Sequence, residues 1–453
     1  MCAGDSSTDA LARRLPPGFA WGAATAAYQI EGATDVDGRR PSIWDTFSHT
    51  DGRTRNGETG DRACDHYRRW RQDLDLMAEL GLRAYRFSVA WPRVQPDASA
   101  RVNERGLDFY DRLVDGLLER GIDPYLTLYH WDLPQPLEEL GGWRDPAIVE
   151  RFAEYASIVA RRLGDRVRHW ITLNEPQVFT ILGHAHGVHA PGLRDWRAAL
   201  RAAHHAHLAH AAATEALARE APGAAIGIAI NFVRYEPASD DAEDIAAAER
   251  IDGTSNRWFL DPVFGRGYPA DAVAVFGELL DGLDLDAVRS MPAPDLLGVN
   301  YYTRELVAAD EAGSDPSRAK AIRRPVPRTT MGWELYPDGL RLTLERVHQE
   351  YAPSSIAVTE NGAAFIDVPK ADGSVDDPER TAYLASHIAA VADAREAGVP
   401  VDGYFVWSLL DNYEWAEGYG QRFGIVRVDY ETQRRTIKGS GRWYRALLAA
   451  APR

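Results

Sequence analysis

Arg168-His169-Trp170-Ile171-Thr172-Leu173-Asn174-Glu175-Pro176 contains a short strand that runs into a carboxylate. Its centre, Ile171 to Leu173, is β-branched and aliphatic without glycine. Pro176 lacks the N–H that a ladder needs, so the strand should stop at Asn174-Glu175. A second stretch, Ser355-Ile356-Ala357-Val358-Thr359-Glu360-Asn361-Gly362, repeats the design, with Gly362 expected to turn the chain after the glutamate. Two glutamates at two strand ends suggest paired carboxylates facing one substrate. The rest of the chain must bring them together.

Outward from these two strands the same alternation recurs. Strand patterns start at Phe19 and cover 83–89, 124–130, 171–173, 225–231, 296–302, 355–360 and 403–408. Helical periodicity ends one segment at 73–81 and fills 107–120, 146–163, 196–220, 241–259, 337–351, 378–398 and 441–449, with Gly81 and Gly121 placed as C-terminal caps. Eight strand–helix units need right-handed parallel crossovers, and this predicts an α/β fold, a single-domain (β/α)8 TIM barrel. The barrel is expected over 16–450, after a disordered tail at 1–15. A doubly wound open sheet is the alternative, but no glycine-rich phosphate turn follows the first strand. The charged stretch 308–328 reads as a long loop, mobile or partly covering the site.

Composition narrows the function. The 453 residues carry a net charge of −16, with a pI near 5.3, which argues against nucleic acid or an anionic membrane as partner. A neutral or cationic small molecule fits instead. No run of about 18 apolar residues could span a membrane. The first 17 residues lack the apolar core of a signal peptide, so a cytoplasmic protein is expected. Cys2 and Cys64 are the only cysteines, too few for a disulfide framework. Oligomeric state stays open, a homo-oligomer included.

In a barrel the strand C-termini form one face, and chemistry sits there. The residues at those ends are Gln29, Arg86, His130, Trp131, Asn174, Glu175, Asn231, Asn300, Tyr302, Glu360 and Trp407. Any one strand-end glutamate is more often a solvated surface group than a catalyst. Two of them among amides, an arginine, a histidine and tryptophans are much harder to explain as coincidence. Without a cysteine or histidine nucleophile motif, a carboxylate pair points to glycosidic bond cleavage, with one group protonated and the other ionised. His184, His186 and His189 share a loop, and His204, His205, His207 and His210 share a helix. A metal site is conceivable there, but no cysteine or paired carboxylate joins them at ligand spacing. Packing and hydrogen bonding are the expected roles. No metal and no cofactor are expected.

The motifs are also recognisable. Phe19-Ala20-Trp21-Gly22-Ala23-Ala24-Thr25-Ala26-Ala27-Tyr28-Gln29-Ile30-Glu31-Gly32-Ala33 resembles the N-terminal signature of the family 1 glycoside hydrolases. Thr172-Leu173-Asn174-Glu175-Pro176 resembles that family's acid/base motif and Val358-Thr359-Glu360-Asn361-Gly362 its nucleophile motif. The likeness spans about 16–449. It implies that Glu175 is the acid/base and Glu360 the nucleophile of a retaining β-glucosidase acting on cello-oligosaccharides and aryl β-glucosides. It also implies sugar contacts from Gln29, His130, Trp131, Asn174, Trp407, Glu414, Trp415 and Phe423, with Trp333 at the junction of glycone and leaving-group sites. Asn300 and Tyr302 match the residues beside the nucleophile, and family members often bend the Trp407-Ser408 peptide. Arg86 and Tyr302 are expected to lower the pKa of Glu360, whose charge then raises that of Glu175. Myrosinase relatives carry glutamine at the acid/base position, so Glu175 favours O-glycoside hydrolysis.

Glu414 is expected as an ionised carboxylate against the sugar 4- and 6-hydroxyls. A 6-phosphate beside it would cost about 4 kcal/mol per charge pair at an effective dielectric near 20. Phospho-β-glucosidase relatives have a serine there followed by a lysine. Between 414 and 423 this chain has only Arg422 as a cation. A preference for galactose or fucose uses the same machinery. A sugar-binding protein without turnover is disfavoured by the two intact glutamates, and aldol chemistry by the lack of a strand-end lysine.

Overall fold

A computed structural model describes residues 6–99 and 101–453. The barrel strands are β1 (Ala20–Ala24), β2 (Ala84–Ser88), β3 (Asp123–Tyr129), β4 (His169–Asn174), β5 (Ala225–Pro237), β6 (Leu296–Ala309), β7 (Ile356–Asn361) and β8 (Val401–Trp407). Each pairs in parallel with the next, and β8 returns to β1 with Ala20 opposite Gly403 and Ala24 opposite Trp407. The cylinder is therefore closed. Long helices follow the strands around it, among them His66–Leu80, Glu104–Glu119, Ile148–Leu163, Trp196–Glu220, Pro337–Tyr351, Pro378–Glu396 and Gly439–Ala450. The fold is a (β/α)8 TIM barrel.

Small residues set how tightly its layers fit. A Cβ on Gly22 would lie 2.4 Å from the Phe405 ring, so β1 must be bare where Phe405 fills the barrel interior beside Tyr125. On the outside, Trp196–Glu220 starts at Asp195, whose carboxylate accepts from the backbone N–H of Arg197 and Ala198. The fully buried alanines 202, 203, 206, 209, 213 and 216 let this helix pack closely against Ile148–Leu163.

Four expectations about local structure need correction. The stretch 1–15 is no disordered tail where it is described: Ser6–Arg13 is helical, Trp443 Nε1 donates to Thr8 Oγ1, and Arg14 pairs with Asp393 and Glu396. Residues 1–5 lie outside the described part. The helix expected over 241–259 breaks at Gly253–Arg257 into a wide π-helical turn. The stretch 308–328 is no free loop: Ala319–Ile322 folds back antiparallel on the end of β6, and Asp244 and Arg250 tie the hairpin to Ala242–Asp252. Finally, Gly362 is glycine because of crowding. A Cβ there would lie 1.7 Å from the carbonyl oxygen of Trp407.

A buried ionic cluster ties the loop after β8 to the loop after β7. Lys438 Nζ, fully buried, donates to Asp367 and to Asp411 Oδ1 at 2.6 Å. Arg380 pairs with Asp367 and Asp377, and Arg422 with Asp411 at 2.7 Å. Three anions therefore meet three cations. Replacing Lys438 by methionine leaves Asp367 and Asp411 short of positive charge, and the expected cost is about 3–5 kcal/mol. Urea unfolding of Lys438→Met measures it; a loss under about 1 kcal/mol would contradict this account. Among the described residues no helix is long and apolar enough to cross a membrane.

Candidate active site

At the C-terminal mouth of the barrel lies a cavity of about 290 Å³. Glu175 and Glu360 line it from β4 and β7, together with His130, Trp131, Tyr302, Trp333, Trp407, Glu414, Trp415 and Phe423 from the expected set. Arg86, Asn174, Asn300 and Gln29 stand just behind this wall, each hydrogen-bonded to a residue that forms it. All the residues expected at the site are thus brought together.

The two carboxylates differ in surroundings. Glu360 Oε1 accepts from Arg86 Nη1 at 2.6 Å, and its Oε2 accepts from the Tyr302 hydroxyl at 2.6 Å. Glu175 Oε1 accepts from Asn300 Nδ2 at 2.6 Å, and among the described residues no cation is bonded to it. Burial, with the Glu360 charge added, raises Glu175 well above the usual carboxylate range. Burial also raises Glu360, which corrects the expected lowering: Arg86 and Tyr302 pull it back without outweighing desolvation. Glu360 still ionises first, because a guanidinium and a phenol hold its charge while Glu175 has only an amide. Burial raises Tyr302 as well, so its hydroxyl keeps the proton that it donates.

Behind them the hydrogen bonds leave little freedom. Asn174 Oδ1 accepts from Arg86 Nη2 at 2.6 Å and from Asn300 Nδ2 at 3.1 Å, which orients the amide. Its Nδ2 then donates to His130 Nε2 at 3.1 Å and keeps a second N–H. Burial, with Arg86 nearby, lowers His130 far below its usual pKa. The neutral ring must carry its proton on Nδ1, and that atom has no partner among the described residues. Gln29 Nε2 donates to Asn412 Oδ1, the Tyr413 carbonyl and Glu414 Oε2 at 2.9–3.3 Å, while its buried Oε1 has no partner among the described residues. Polar atoms without partners at the base of a cavity suit a hydroxylated ligand.

Glu414 departs from expectation. Burial, and next the Glu360 charge, push it up to about 8, so it is mostly protonated at neutral pH rather than ionised. The aromatic rings form two groups. Trp415 lies 4.5 Å from Trp131 and 5.8 Å from His130, and Trp333 lies 5.1 Å from Tyr302. Trp131, Glu175 and Trp415 all have positive φ, a conformation that costs non-glycine residues about 1 kcal/mol or more. The Trp407-Ser408 peptide is cis.

Sequence reasoning left out Asn412, His189 and Met331. Asn412 was visible in Asp411-Asn412-Tyr413, but its role in orienting Gln29 depends on a contact across 383 positions. His189 was weighed only among the loop histidines as a metal ligand, and Met331 carried no signal of its own. The clustered histidines are bonded within the protein: His204 and His207 to the Tyr268 hydroxyl, His210 to Thr172 and His205 to the Trp143 carbonyl.

A TIM barrel whose rim holds two buried carboxylates of unequal acidity, sugar-sized space and an aromatic wall defines a glycoside hydrolase. The chain belongs to glycosyl hydrolase family 1, whose model matches residues 11–451. It is 48% identical to β-glucosidase A of Thermotoga maritima over 434 residues, 95% of this chain and 97% of that protein. It is 46% identical to a bifunctional β-D-glucosidase/β-D-fucosidase of Bifidobacterium breve, over 96% of this chain and 98% of that one. A solved family 1 β-glucosidase from T. maritima superposes with a TM-score of 0.94 at 48% identity, covering 97% of this chain and 98% of that one.

Proposed function

We propose that this protein is a retaining β-glucosidase, with Glu360 as nucleophile and Glu175 as acid/base. The observation that supports these roles best is the asymmetry of the carboxylates, one held charged by Arg86 and Tyr302 and the other held neutral by burial. Glu360 attacks C1 while Glu175 protonates the departing glycosidic oxygen, giving a covalent α-glycosyl ester. Once Glu360 is esterified, the charge that raised Glu175 is gone. Glu175 loses its proton to the departing oxygen and is then a base for the incoming water. The free N–H of Asn174 is placed for the 2-hydroxyl, His130 Nδ1–H for a neighbouring one, and Gln29 Oε1 for a third. The names of the curated relatives support glucose as the glycone. Acceptance of fucose is supported by the B. breve relative. We also propose a cytoplasmic protein, consistent with the buried free thiol of Cys64 and testable by cell fractionation.

Proton NMR of the first-formed sugar tests the mechanism. A retaining site places the carboxyl groups about 5–5.5 Å apart and releases the β-anomer first. An initial α-anomer would overturn the assignment. A panel of nitrophenyl glycosides ranks glucose, galactose and fucose.

Glu414 carries a second prediction. A 6-phosphate would meet a carboxyl group, while the nearby cation Arg422 is committed to Asp411 and the Val428 carbonyl. Because Glu414 is mostly protonated, direct charge repulsion is weaker than an ionised group would give. Burying the dianion without a cation still costs several kcal/mol. The expected kcat/KM on nitrophenyl β-glucoside 6-phosphate is at least about a hundredfold below that on nitrophenyl β-glucoside. Equal values would remove Glu414 from the sugar site.

A further inference from the structure

Beyond Trp333 the cavity opens into a groove of about 390 Å³, with Val178, Leu182, Asn231, Tyr302 and Trp333 common to both. One wall is a two-stranded ribbon. β5 and β6 do not end at the barrel rim but run on paired, with Arg234 opposite Arg304 and Tyr235 opposite Glu305. A strand shows alternate residues to opposite faces. On the ribbon's outer face every charge is matched: Arg304 binds Glu236 and Glu334 at 2.7 Å, and Arg234 binds Glu236 at 2.6 Å. Thr303 and Glu305 face the groove with Val233 and Tyr235. Glu305 is the exception among these carboxylates. Among the described residues it accepts no hydrogen bond and pairs with no cation, and Arg323 and Arg328 act on it only through space. Across the groove the Gln177 side chain, about nine-tenths buried, donates to the Asn231 carbonyl, and its Oε1 has no partner among the described residues. The opposing surface is apolar, formed by Val178, Ile181 and Leu182.

We infer that Glu305 is a specificity-determining residue for the leaving group: with Gln177 it binds the hydroxyls of the sugars beyond the scissile bond, so that cello-oligosaccharides longer than the disaccharide are favoured. A pyranose has an apolar C–H face and a rim of hydroxyl donors. The groove offers a matching apolar wall and two unused acceptors. A carboxylate is the stronger of these, because a hydrogen bond to a charged group is about twice as strong as a neutral one. Burial raises Glu305 above the usual carboxylate range, and a hydroxyl donor reverses part of that desolvation. The chemistry itself stays with Glu175 and Glu360.

This inference rests on the β-glucosidase reading, and one set of assays separates the two. The ratio of kcat/KM on cellotriose to kcat/KM on nitrophenyl β-glucoside is measured for the unaltered chain, Glu305→Ala and Glu305→Gln. Glu305→Ala should lower the ratio about tenfold, the loss of one charge-assisted hydrogen bond, and Glu305→Gln should recover part of it. The corresponding ratio for octyl β-glucoside, whose chain has no hydroxyls, should stay within about twofold. An unchanged cellotriose ratio in both variants, or an equal loss on octyl glucoside, would overturn the inference. An unaltered chain that cleaves no β-glucoside at all would instead sink the proposed function.

Discussion

Glu360→Ala is expected to show no turnover above background, and azide is then expected to yield the α-glycosyl azide. The reason is geometric. The carboxylate that Arg86 and Tyr302 hold in place is the group aimed at C1, and removing it leaves space for a small anion on the same face. Glu175→Ala should behave differently. It should lose about 10²–10⁴-fold on poor leaving groups, because only the proton is missing. With an activated aryl leaving group the first step should survive, and azide should attack the intermediate from the opposite face to give the β-glycosyl azide. Product anomers identified by NMR decide the matter. The same azide anomer from both variants would remove the division of roles.

Arg86→Met should reduce kcat/KM near pH 6 by about a hundredfold or more. Arg86 is 1% exposed and bonds both the Glu360 carboxylate and the Asn174 amide, so its loss leaves a buried charge unpaired. Breaking such a pair costs about 3–5 kcal/mol, and 1.4 kcal/mol is tenfold. The pH profile carries the more telling sign. Glu360 must be ionised to attack, and without the guanidinium its pKa rises further. The acidic limb of kcat/KM should therefore move to higher pH, by about 1–3 units. Higher pH should recover part of the lost rate until the alkaline limb, set by deprotonation of Glu175, cuts it off. An acidic limb that stayed in place would show that Arg86 does not set the charge of Glu360. Unfolding in urea, measured alongside, separates this from simple loss of the fold.

The sequence by itself determined the barrel and its two glutamates, because both rest on local physics. Alternating strand and helix patterns, glycine at helix ends and a proline after Glu175 are decided within a few residues, and parallel crossovers then admit few topologies. Trp196–Glu220 and Pro337–Tyr351 run over the ranges that periodicity predicted. The motifs implied which glutamate keeps its proton, but only the tertiary structure produces the difference between the two. Arg86 reaches Glu360 across 274 positions, and desolvation, which raises both groups, exists only once the barrel has closed. The neutral Glu414 and the positive φ of Trp131, Glu175 and Trp415 arise the same way, imposed on residues whose local preferences do not ask for them. The ribbon that extends β5 and β6 was hidden for a related reason. The strand patterns were read only to 231 and 302, and pairing beyond them sends Arg234, Glu236 and Arg304 to one face and leaves Glu305 alone on the other.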